Sequence, residues 1–211
     1  MSAHLHPHPG RRRSWGEPRP SWLARLRARL GGRRNSPRAG LPELPLALRR
    51  GELAEAYLGA EHDGDHRRAG AAAASAMERA VANEEWWPAD TWGHRALWHF
   101  EQAGMTLRAA RQARRIGDLR TAAGDPASGR RYYAEAIDEA RDIGAEHEQG
   151  MATLGLGRAL LELGEVTAAR RLASASVDLL VRADAPPAEI ASARALLGTE
   201  VAVGEGTEES G

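Results

Sequence analysis

From Leu41 onward, small and apolar residues recur at three- and four-residue spacing, interrupted by short turn signals. This pattern predicts eight helices, over 46–60, 66–84, 90–103, 106–123, 126–143, 147–163, 166–182 and 187–201. In the fifth, Tyr133, Ala136, Ile137, Ala140 and Ile143 form one core-facing stripe; in the seventh, Ala169, Leu172, Ala173, Val177 and Leu180 form another. No segment sustains the β-branched alternation that a strand requires, so the fold class is all-α, built of antiparallel helical hairpins.

The turns carry their own chemistry. Gly124 supplies the left-handed residue that ends a helix, Asp125 caps the next, and Pro126 stands at the first helical position, where its missing N–H is harmless. Gly164-Glu165 forms a second such turn. Asp184 before Pro186-Pro187, and Pro88 before Asp90, predict two further helix starts.

Gly124 and Gly164 stand 40 residues apart, and small and apolar residues match around them. Ile116 and Gly117 precede the first glycine as Leu156 and Gly157 precede the second. Gly129, Tyr133 and Ala136 follow the first as Ala169, Ala173 and Ser176 follow the second. Two helices in a tight hairpin need small residues at their closest approach and a large one in the gap between hairpins. The pattern resembles the tetratricopeptide repeat, in a 40-residue-period variant of a bacterial, actinobacterial-like kind. The resemblance covers residues 106–182 well and 66–103 weakly. The longer period implies longer helices than the family's repeat of about 34 residues. Arg120 and Thr153 replace an aromatic or Leu and a Trp, and the closing proline is missing from both copies. The resemblance implies a short right-handed solenoid whose first helices line a concave groove. Carried over by position, that groove includes Arg111, Arg114 and Asp118 in one hairpin and Leu154, Arg158 and Glu162 in the next.

Charge divides the chain. All 29 basic residues are Arg, balanced by 29 acids. Residues 1–40 hold ten Arg and one acid, Glu17, a net +9, so the remainder carries −9. This arm, rich in His, Pro and Gly, reads as disordered except for an amphipathic helix over 21–30 around Trp22, Leu23, Leu26 and Leu30. Its Arg11, Arg12, Arg13, Arg25, Arg27, Arg29, Arg33 and Arg34 are candidates for gripping phosphates or an anionic membrane surface. The domain proper is expected over 41–203, with an acidic disordered tail over 204–211. Cysteine is absent, which excludes disulfides and thiol chemistry and fits a reducing, cytoplasmic compartment. No apolar run reaches the roughly 18 residues of a membrane span, and no secretory signal follows Arg11–Arg13.

Candidate chemistry is sparse. Glu61-His62-Asp63-Gly64-Asp65-His66 is dense in ligand atoms but fits no calcium loop or helical zinc motif; a turn in which Asp63 or Asp65 caps the next helix explains it better. His4, His6 and His8 lie in the arm without a supporting partner. Four of the six Trp fall between 86 and 98. Trp92, Trp98 and Phe100 suit a core, whereas Trp86 and Trp87, before Pro88, suit a contact surface for a partner. No phosphate loop, nucleophile elbow or paired catalytic carboxylates are present, so no enzyme activity, metal or cofactor is expected. The leading expectation is a protein-interaction module, an adaptor or regulatory scaffold that holds a peptide or helix of a partner. Beside it stand a nucleic-acid or anionic-membrane binder acting through the arm, and an arm folded back on the chain's own acidic surface.

Overall fold

The computed structural model describes residues 41–198. The arm over 1–40, with its helix at 21–30 and its His4, His6 and His8, and the tail over 204–211 lie outside the described residues. Among the described residues there are eight α-helices and no strand. They are α1 (Glu52–His62), α2 (His66–Ala82), α3 (Trp86–Gln102), α4 (Thr106–Ala122), α5 (Pro126–Asp142), α6 (Glu146–Glu162), α7 (Val166–Arg182) and α8 (Pro187–Leu197), preceded by a 3-10 turn at Leu46–Leu48.

Helices α2 to α7 have 17 residues each and open 20 residues apart, at His66, Trp86, Thr106, Pro126, Glu146 and Val166. The 40-residue repeat is therefore two 20-residue units, each a helix and a three-residue turn. Every turn is closed the same way. The Gly124 N–H donates to the Thr121 carbonyl at 2.9 Å, and the Asp125 N–H donates to the Arg120 carbonyl at 2.8 Å. The same pair of bonds recurs around Gly104, Gly144 and Gly164, and requires a left-handed residue between them. Glu84 (φ 59°) and Asp184 (φ 50°) fill that slot without glycine's freedom. After Gly124, Asp125 caps α5 as expected, accepting from the Ser128 N–H at 3.0 Å, with Pro126 in the first turn.

Three sequence expectations need correction at their edges. The first helix does not run 46–60: the Leu46–Leu48 turn ends, Gly51 turns the chain at φ 95°, and α1 begins only at Glu52. The third begins at Trp86, not 90, because Pro88 lies in the first turn, where helix N–H groups lack intrahelical acceptors anyway. Ile143 leaves the core stripe: it follows α5 directly and is exposed, while Tyr133, Ala136 and Ala140 are buried.

Each helix packs on the next, most extensively within the pairs α2/α3, α4/α5 and α6/α7, and α4 also touches α6 as α6 touches α8. Alanines dominate the interior, so backbones approach closely. The joint between two hairpins is Tyr133 of α5, 2 % exposed. A Cβ added to Gly117 of α4 would meet its ring at 2.9 Å, and one added to Gly155 of α6 would meet Cδ1 at 2.8 Å and Cε1 closer still. The ring thus fills the space that two glycines leave open. Arg120, where the repeat pattern has an aromatic or Leu, reaches Asp90 of α3 at 2.8 Å and ties α4 to the preceding hairpin.

On α5, Glu135 and Glu139 stand one turn apart in the packed surface, and each keeps an Oε2 without a hydrogen-bond partner. Burial pushes both carboxyls up to about 7, against the pull of Arg131 on Glu135 and with Glu135 and Asp142 adding to the effect on Glu139.

Gly155→Ala should destabilise by about 1–3 kcal/mol through overpacking against Tyr133. Gly59→Ala, on α1 with nothing within 4 Å of the new methyl, should stabilise by about 0.5–1 kcal/mol; denaturant unfolding of the pair checks the opposite signs. The unfolded chain releases the Glu139 proton near 4.5 and the folded chain only near 7, so this group's contribution falls as pH rises across that window. Glu139→Gln should therefore be nearly neutral at pH 4 and stabilising by about 1–3 kcal/mol above pH 7, read from thermal unfolding at both pH values.

Candidate functional site

Residues Arg111, Arg114 and Asp118 lie on successive turns of α4, and Leu154, Arg158 and Glu162 on successive turns of α6. Because α4 and α6 touch, the two rows face a common groove of about 370 Å³. Arg114, Asp118, Leu154, Arg158 and Glu162 all line it, with Met151 and the Tyr133 ring. Five of the six expected groove residues are thus brought together; Arg111 flanks the groove.

Glu148 of α6 organises the cationic side. It is 2 % exposed and accepts from Arg114 Nε at 2.6 Å and from Arg111 Nε at 3.3 Å. Arg114 also donates to Asp118 at 3.1 Å, and Asp118 in turn accepts the Tyr133 hydroxyl at 2.8 Å. Burial works against the Arg114 charge, but Glu148 and then Asp118 outweigh it and hold its pKa above the ordinary arginine value. Burial and the Asp118 charge push the Tyr133 phenol up, so it stays a neutral donor. Arg158 differs: it is exposed and has no ion pair or hydrogen bond among the described residues. The groove therefore offers a buried apolar floor at Leu154, a fixed ion-paired wall at Arg114, and an unpaired cation at Arg158.

Trp86 and Trp87 do not join this groove. They stand in the first turn of α3, 42 % and 57 % exposed, while Trp92 and Phe100 are buried and Trp98 is half-buried. The segment 61–66 is a turn: Gly64 takes the left-handed conformation and Asp65 caps α2 through the Arg68 N–H at 3.0 Å. The basic-arm candidates, Arg11 to Arg34, lie outside the described residues.

Sequence reasoning missed a second cavity, of about 600 Å³, between α1, α3 and the segment Leu41–Leu44. Its wall holds Arg95 and His99, 3 % and 1 % exposed. Arg95 donates to the Tyr57 hydroxyl at 3.0 Å and to the Pro42 carbonyl, and its guanidinium lies over the Tyr57 ring. The Tyr57 hydroxyl donates to Glu61 at 3.0 Å, so the 3.1 Å contact with His99 Nε2 has the imidazole donating. His99 Nδ1 is then the acceptor for His66 Nδ1–H at 3.0 Å. Burial, with His66 and Arg95 nearby, lowers the His99 pKa to about 4, and burial pushes Tyr57 up to about 12, so both are neutral at pH 7. The available signal was a lone Arg at the helical spacing of Trp92 and His99, on a face otherwise apolar.

Compared with known proteins, the chain matches no family model and no curated protein.

The two groove arginines should respond differently to truncation. Arg114→Ala leaves Glu148 buried without its closest partner and should cost about 2–4 kcal/mol of folding stability. Arg158→Ala, on an exposed unpaired side chain, should fall within about 0.5 kcal/mol of the parent; denaturant unfolding at neutral pH separates them.

Proposed function

We propose that the chain is a protein-interaction module of tetratricopeptide-repeat type, an adaptor or regulatory scaffold that holds a partner's peptide between α4 and α6. It acts in the cytoplasm and performs no chemistry of its own. The observation that carries this reading is the unpaired Arg158 on the rim of an apolar-floored groove, opposite the rigid Arg114–Glu148–Asp118 wall. Such a site takes an extended or helical segment that inserts an apolar side chain toward Leu154 and sets a carboxylate on Arg158. Lack of cysteine fits a reducing compartment, and no helix among the described residues is long and apolar enough to cross a membrane.

Selection of a random peptide library on the full-length chain tests the proposal. Enriched peptides should pair an acidic with a large apolar residue, lose about tenfold in affinity on Arg158→Ala, and still bind after residues 1–40 are removed. Peptides that are indifferent to Arg158→Ala and lost with the arm would move the function to the arm and to phosphate-bearing partners.

A further inference from the structure

Arg95 is a buried cation that no carboxylate among the described residues meets directly. Two carboxylates border its cavity, and neither touches the guanidinium: one is paired with another arginine, and the other stands behind the Tyr57 hydroxyl to which Arg95 donates. Glu43 pairs with Arg49 at 3.5 Å, and Glu61 accepts the Tyr57 hydroxyl. The hydrogen bonds that Arg95 makes go to neutral acceptors, the Tyr57 oxygen and the Pro42 carbonyl, and its Nε–H is buried with no acceptor. Arg95 forms no ion pair with any described residue. A guanidinium this far from water is costly unless an anion meets it, and the Tyr57 ring 5.6 Å from its centre compensates only in part.

The surroundings specify the anion. His99 cannot supply a second positive charge, because its Nε2–H is spent on Tyr57 and its Nδ1 accepts from His66. A single cation suits a monoanion better than a dianion. Leu58 and Trp98 add apolar surface to the same cavity, whose volume lies in the ~300–1,000 Å³ range of small-molecule sites.

We propose that the cavity between α1, α3 and the Leu41–Leu44 segment binds a small organic carboxylate, its carboxylate on Arg95 and its apolar body against Leu58 and Trp98. The site is separate from the α4/α6 groove and does not depend on how that groove is used. Because Arg95 also holds the Pro42 carbonyl, an occupant would fix the segment that leads into α1.

Calorimetric titration of the full-length chain with acetate, benzoate and 3-phenylpropionate tests this. The neutral benzamide and inorganic phosphate serve as controls, and the Arg95 Nε–H resonance is followed in parallel. Benzoate or 3-phenylpropionate should bind one to one with a Kd below about 1 mM and shift that resonance. Benzamide and phosphate should bind about tenfold or more weakly. Arg95→Gln should abolish binding. Leu58→Trp fills the apolar side while keeping Arg95, so it should weaken binding about tenfold and decides the matter if Arg95→Gln does not fold. Arg114→Ala, in the other groove, should leave the affinity unchanged. No saturable binding by any of the three carboxylates, equal binding of benzamide or phosphate, or full affinity in a folded Leu58→Trp variant would each overturn the proposal.

Discussion

The structure depends on how closely two hairpins can approach at Tyr133. Its ring occupies space kept open by the missing side chains of Gly117 and Gly155, one on the helix it hairpins with and one on the helix that follows. A helix interior glycine is unfavourable by roughly 0.5–1 kcal/mol relative to alanine, so two of them facing one buried ring make sense only as packing. The same ring, through its hydroxyl, holds Asp118, which steadies Arg114, which pairs with the buried Glu148. One side chain thus joins α4, α5 and α6 and lines the groove between α4 and α6.

The 20-residue register multiplies that local arrangement. Because α2 to α7 have one length and one turn geometry, corresponding positions meet corresponding positions all along the array. Each helix then needs only its neighbours for burial, the condition under which repeat proteins grow in one dimension. Individual joints still differ. Tyr133 fills one, the Arg120–Asp90 pair holds another, and Gly157 of α6 receives Leu196 of α8 at the C-terminal end.

Much of this was legible in the sequence where the signal is local. Gly124-Asp125-Pro126 announces its turn because the left-handed residue, the cap and the first helical position are neighbours in the chain. The groove residues were placed by position from the resemblance to the tetratricopeptide repeat, and five of the six share one groove. Gly104, Gly124, Gly144 and Gly164 carry the 20-residue half-period, which was missed because the hairpin, 40 residues long, was taken as the unit; Glu84 and Asp184 hide its continuation at either end. The start of α3 was misplaced because Pro88 was expected ahead of the helix and stands inside its first turn. Contacts between distant segments left no trace in the pattern: Glu148 meets Arg114 across 34 residues, and Arg95 meets Pro42 across 53. The net charge of a segment does not reveal which arginine is paired, so Arg114 and Arg158 look alike until the helices are packed.

The central claim is that Tyr133 couples two neighbouring hairpins and so sets the groove. Native-state hydrogen exchange on Tyr133→Ala tests it most directly. The account predicts that amides of α4 to α6 lose protection together while those of α1 and α2 keep theirs. An even loss from α1 to α8, or no loss in α6, would contradict it.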